Sequence, residues 1–202
     1  MKVLWSLLFA ATPAAAQYNV IAAFSPDTRS DTLILQFGQE DDPSKLDLVV
    51  VTRPDDEDYA TIQEIETFRN AFFAGRYNRP YFEALPTGAV RLNGLGCFLC
   101  GREHFSQSFT LDHRDGAWQM IGYTDSRVDR TAPWRFSQCD VNLVTRTAEI
   151  TLSDEPVARF DAPEDGPLAL SDLTFEYRPS VCARANLTDE EWEKIRPAGV
   201  TD

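Results

Sequence analysis

The sequence predicts an α+β fold that is mostly β: antiparallel sheet, one long amphipathic helix packed on it, and a short C-terminal helix. Three observations predict it. Short β-branched and aromatic runs alternate with Gly, Pro, Asn and Asp clusters, the pattern of strands and turns. One stretch, residues 54–77, carries apolar residues at helical spacing. Asp115-Gly116 lies between two alternating runs, the strongest short hairpin signal.

The chain opens MKVLWSLLFAATPAAAQ. A positive Lys2, an apolar run over 3–11, a break at Pro13 and small residues at Ala14, Ala15 and Ala16 read as a bacterial secretory signal peptide cut after Ala16. The expected organisation is a signal peptide, 1–16, and a single globular β-rich domain, 17–202, in the periplasm or the medium. The apolar run falls short of the roughly 20 residues a spanning helix needs, and no later stretch is apolar long enough to cross a membrane. Loss of Lys2 leaves 18 basic residues against 32 acidic ones, a balance of −14. Such a surface repels phosphate backbones and argues against nucleic acid. A basic protein or a small ligand are the partner classes it allows.

Residues 20–24 and 32–37 read as strands split by Ser25-Pro26-Asp27. The run KLDLVVVT, 45–52, suits a central strand buried on both faces. The helix follows. Asp55, Asp56, Glu57 and Asp58 favour the positive end of its dipole; Tyr59, Ile62, Ile65, Phe68, Phe72 and Phe73 form its apolar face; Gly75 ends it. Arg69, within that face, is read as a snorkelling or paired side chain.

Strands are expected again at 89–92 and 105–111. The two-residue turn at Asp115-Gly116 pairs Arg114 with Ala117, His113 with Trp118, Leu111 with Met120 and Phe109 with Gly122. Phe109, Leu111, Trp118 and Met120 then share a core face, while Ser108, Thr110, Ile121 and Tyr123 take the other. A second hairpin joins 134–143 to 147–152, and strands at 157–160 and 173–177 complete the β content. Thr188 and Glu191 form a capping box for the last helix, which accounts for Thr188 better than the glycosylation sequon it also completes.

There are four cysteines, Cys97, Cys100, Cys139 and Cys182. In an exported chain they read as two disulfides. Cys97–Cys100 needs a turn, since an extended strand separates such Cα atoms by roughly 10 Å; Gly94, Gly96 and Gly101 permit one. The favoured pairing is Cys97–Cys100 with Cys139–Cys182, and the crossed pairings stay open. A redox reading of the CxxC wants a helix N-terminus after it, but residues 101–108 alternate like a strand. A zinc site wants a second close pair. His104 and His113 are nine apart and point to opposite faces of a regular strand. Glu103, His104, Ser106 and Ser108 hold the ingredients of a nucleophile and base without an elbow or a third member.

The segments HFSQSFTLDHRDGAWQMIGYTDS and CDVNLVTRTAEI resemble a group of small secreted bacterial proteins of unassigned function. The match rests on Ile121-Gly122-Tyr123, on Asn142-Leu143-Val144-Thr145 and on the CxxC-Gly from Cys97 to Gly101. Arg146 stands where the group usually has Gly. The resemblance also implies a degenerate FG-GAP/VCBS-like calcium loop near the N-terminus. It aligns with AFSPDTRSD, of which Asp27 and Asp31 keep the carboxylates. Calcium wants 6–8 oxygens and several charges, so a plain loop is the preferred reading, calcium on Asp27 and Asp31 the weaker one, and no other cofactor is expected. The function expected is an exported, disulfide-stabilised, non-catalytic binding or structural module. The alternatives are an exported enzyme, either a thiol–disulfide protein on Cys97 and Cys100 or a hydrolase, and a small acidic inhibitor or immunity-type protein.

Overall fold

The period-two runs become antiparallel strands. The structure, a computed structural model, describes residues 20–24, 31–37, 45–52, 64–73, 80–97, 101–163 and 166–197. Strands β1 (Val20–Phe24), β2 (Asp31–Phe37), β3 (Lys45–Thr52) and β4 (Glu64–Phe73) form one sheet in that order. The second sheet holds β5 (Tyr81–Ala84), β6 (Val90–Cys97), β7 (Glu103–Arg114), β8 (Ala117–Asp129), β9 (Phe136–Asn142), β10 (Thr147–Leu152) and β11 (Ala158–Asp161), each beside the next. A short β12 (Leu168–Ala169) pairs with the start of β8. The chain is thus mostly β and antiparallel, as its patterning predicts.

The long helix is a correction. Residues 64–73, inside it by sequence, are strand β4, paired along β3; residues 54–63 and 74–77, with the acidic start, lie outside the described residues. The reason is arithmetic. Residues four apart share a face of a helix and equally a face of a strand, whose period is two. Phe68 and Phe72 therefore satisfy both readings. The run β3 settles the choice: Leu46 and Leu48 on one side and Val49 and Val51 on the other are all buried, and a strand covered on both faces needs a hydrogen-bonded neighbour on each edge. A bulge between Leu46 and Leu48 sets them opposite Phe72 and Phe68.

The two sheets share one apolar core. Leu46, Leu48 and Phe72 of the first meet Leu92, Phe109 and Leu111 of the second. Phe72 and Phe109 lie 4.9 Å apart between ring centres, and Phe109 meets Tyr123 edge-on at 5.6 Å.

The Asp115-Gly116 turn forms with both residues at positive φ, 52° and 80°, the geometry that lets the strand twist continue through the turn. Register follows expectation from Arg114↔Ala117 to Leu111↔Met120 and then slips: Thr110 faces Gly122 and Phe109 faces Tyr123. Ile121 is the extra residue of a bulge. Every later side chain of β8 consequently changes face. Tyr123, expected outside, is in the core; Thr124 takes the outer place.

The second hairpin forms as expected, and Arg146 in its turn has φ 56°, the left-handed region where glycine is unstrained. Residues 173–177 are not a strand. The Tyr177 N–H returns to the Thr174 carbonyl at 3.0 Å, and 3-10 turns at Leu170–Asp172 and Ser180–Ala185 flank the segment. The chain there turns over the core rather than pairing along an edge, with Leu173 buried beneath it. Helix α1 (Asp189–Lys194) starts at the expected capping box, with Thr188 Oγ1 accepting from the Glu191 N–H and Glu191 accepting from the Thr188 N–H.

Candidate functional site

Cys139 and Cys182 are joined, with Cα atoms 5.6 Å apart and 43 residues between them in sequence. The bond fastens the Ser180–Ala185 turn to the core face of β9. Cys97, the last residue of β6, is also disulfide-bonded; Cys100 lies outside the described residues. After the CxxC the chain turns at Gly101 and enters β7 at Glu103, so a strand rather than a helix follows the pair.

Other sequence candidates disperse. His113 packs edge-on against Trp118 at 5.7 Å. Ser106 Oγ meets Ser126 Oγ at 2.7 Å, one hydroxyl against another. Asp31 opens β2, and Asp27 lies outside the described residues. Among the described residues no three of His, Cys, Asp or Glu cluster as a metal site, and no helix is long and apolar enough to cross a membrane.

Two places gather polar groups that the sequence did not single out. The first is the outer face of the large sheet. Register places Arg91, Thr110, Gly122, Asn142 and Thr147 in one row across β6 to β10. The neighbouring row runs Ser108, Thr124, Asp140 and Glu149. All of these except Ser108 line an open groove of about 530 Å³. Gly122 is its floor: a Cβ there would come within 3.1 Å of the Thr110 Cβ. The walls are already oriented. Thr124 Oγ1 donates to Asp140 at 2.7 Å, Gln138 Nε2 donates to the other Asp140 oxygen at 2.6 Å, and Asn142 Oδ1 accepts the Val144 and Thr145 N–H groups at 3.0 Å. Asn142 thereby keeps its side-chain amide as a donor beside the groove.

The second lies on the inner face of β8, where the Ile121 bulge turns Tyr123, Asp125, Arg127 and Asp129 toward the C-terminal cap. Asp125 is 3% exposed. Arg178 Nη2 lies 2.8 Å from its Oδ2, and the same nitrogen donates to Asn186 Oδ1 at 3.0 Å. Burial raises the Asp125 carboxyl above its ordinary range, against the pull of Arg178 and Arg127. Burial, then the Asp125 charge, also pushes the Tyr123 phenol up, although its oxygen accepts from Gln107 at 3.0 Å. A cleft of about 220 Å³ opens beside this row, under α1, lined by Arg102, Arg127, Asp129, Ser137, Asn186 and Trp192 among others. Its far wall is braced by Arg135, which contacts Asp189 at 2.5 Å and Glu193 at 2.7 Å and stacks over Trp134.

Asp129 closes the β8 end. It accepts from Arg102 Nε at 2.7 Å, Thr131 N–H at 2.8 Å, Thr131 Oγ1 at 2.7 Å and Ala132 N–H at 3.2 Å. The Arg102 guanidinium, then the Thr131 and Ala132 donors, hold its carboxyl well below the usual carboxylate range. A depressed carboxyl contributes stability that is complete above the unfolded value, about 3.9, and fades as pH falls toward the folded value. Asp129→Asn is therefore expected to flatten the acid limb of a stability–pH profile between about pH 4.5 and 2.5, checked by urea midpoints across that range. An unchanged limb would remove Asp129 from the acid response.

The sequence signal for this second place was the alternation Asp125, Arg127, Asp129 in phase with Tyr123. Without the bulge that phase reads as solvent-facing. The described residues thus define an antiparallel two-sheet protein with a disulfide-fastened C-terminal cap, a polar outer groove and an arginine-lined cleft. Comparison of the chain with family models, with curated proteins and with solved structures gives no match.

Proposed function

We infer that the chain is an exported, disulfide-stabilised binding module, non-catalytic, and that the outer groove over Gly122 is its recognition surface. One observation carries the reading: the groove walls are fixed in advance by hydrogen bonds, Thr124 across to Asp140, Gln138 along β9 to Asp140, and the Asn142 turn. A surface whose polar groups are already positioned loses little side-chain freedom on binding. Its lining of hydroxyls, amides and both charge signs suits a small polar ligand. Export rests on the signal-like N-terminus and agrees with the Cys139–Cys182 bond, which persists in oxidising compartments.

The test is a ligand screen on the mature chain by NMR shift mapping, with polyols, sugars and short peptides as probes. A bound probe is expected to move the amide signals of Gly122, Thr124, Asn142 and Thr147. Thr147→Trp, an exposed change at the groove wall, is expected to weaken it by about tenfold or more, the scale of one blocked polar contact, with the thermal midpoint kept. Turnover of a defined substrate, abolished by one point change, would overturn the non-catalytic reading. Shifts confined to other surfaces would overturn the groove.

A further inference from the structure

We propose that the cleft between β8 and the C-terminal cap is a second site, which takes a small oxyanion, carboxylate or phosphate, on Arg127 and Ser137.

Charge pairing sets Arg127 apart. Along the inner face of β8 the order is Asp125, Arg127, Asp129. Each acid has a nearer arginine of its own: Arg178 lies 2.8 Å from Asp125, and Arg102 lies 2.5 Å from Asp129. Arg127 reaches Asp125 only at 3.8 Å, outside hydrogen-bond range. Its guanidinium is therefore the weakly committed cation of the row, and its Nε is buried without a hydrogen-bond partner.

Ser137 supplies the second, independent observation. It is the register partner of Arg127 across β8 and β9, so the two side chains stand on the same face. Ser137 is 3% exposed and lines the cleft. A serine and a weakly paired guanidinium thus line one small cavity from the same face.

An oxyanion suits both groups. Arginine presents a planar fork of donors that matches carboxylate and phosphate, and the serine hydroxyl adds a donor from the cleft floor. A neutral ligand would leave the guanidinium uncompensated. Three arginines, Arg102, Arg127 and Arg135, and three acids, Glu103, Asp129 and Asp189, line the cleft; Asp129 and Asp189 are engaged by Arg102 and Arg135. On a chain with a balance of −13, a cleft whose lining charges balance departs from the charge of the whole.

The experiment titrates the mature protein separately with inorganic phosphate and with acetate, followed by NMR shifts of Arg127 Nε–H and Ser137. Saturable binding of either anion is expected, and the tighter of the two names the source chemistry. Arg127→Gln is expected to weaken it about tenfold or more, and Ser137→Ala several-fold; added salt weakens both. Arg127→Lys, which keeps the charge and loses the fork, serves should the Gln variant fail to fold, and reduced affinity is expected there too. Thr147→Trp, on the opposite face of the sheet, leaves anion binding unchanged, so loss of the outer groove and loss of this site are distinguishable. Non-saturating shifts with both anions, or equal affinity in the wild type and the Arg127 variants, would overturn the proposal.

Discussion

Phe109→Ala is expected to lower the unfolding free energy by about 4 kcal/mol, within the range of roughly 3–5 for a fully buried phenylalanine. Phe109 has no exposed surface and stands where the two sheets meet, touching Phe72 of β4 and Tyr123 of β8. Truncation removes apolar burial and leaves a cavity that rigid strands on both sides fill poorly. The urea midpoint should fall with the slope unchanged. Phe72→Ala should cost a similar amount, and the double variant less than the sum, because the second truncation enlarges a cavity already made. A loss under about 1 kcal/mol for Phe109→Ala would mean that the sheets do not share a core through this ring.

The second large effect concerns the Cys139–Cys182 bond. Replacing both cysteines with alanine is expected to cost about 4 kcal/mol, since closing a loop with a sequence separation of 43 restricts the unfolded chain by about that amount in the loop-entropy account. Both cysteines are fully buried, so a small packing loss adds to it. The segment carrying Arg178, Asn186 and Trp192 would then depend on its own contacts: the Asp125–Arg178 pair, the Arg135 bridges to Asp189 and Glu193, and the Trp134–Trp192 packing at 6.1 Å. The measurement is urea unfolding of the double variant beside the oxidised parent. A midpoint equal to the parent's would mean that these contacts alone seat the cap.

The core ring and the disulfide-fastened cap differ in how far the sequence shows them. The core residues of the Asp115-Gly116 hairpin were legible, because turn chemistry fixes the register near the turn and the pleat fixes the face. Phe109, Leu111, Trp118 and Met120 are buried as that pattern demands. Legibility ends at Ile121. One inserted residue reverses the parity of everything beyond it, and no local signal marks a bulge whose cause is packing. The candidate cleft falls beyond that point, so Asp125 and Arg127 read as solvent-facing charges although the fold turns them inward. The groove floor, Gly122, was quoted in a motif, but its role depends on which strands lie beside it. Asp27, singled out with Asp31 for calcium, lies outside the described residues.

By itself the sequence determined the predominance of antiparallel strands, the position of the tight turn and the start of the last helix. These follow from short-range rules: alternation, positive φ at a turn and a side-chain cap. Which cysteines pair was left open, and the fold joins Cys139 to Cys182. Only the tertiary structure decided that residues 64–73 are a strand, because a four-residue spacing fits both periods and the neighbouring β3 needs a partner on its free edge. Only it decided, too, that Tyr123, Asp125, Arg127 and Asp129 face inward, because a side chain's face beyond a bulge is set by what packs against the sheet and not by its place in the chain.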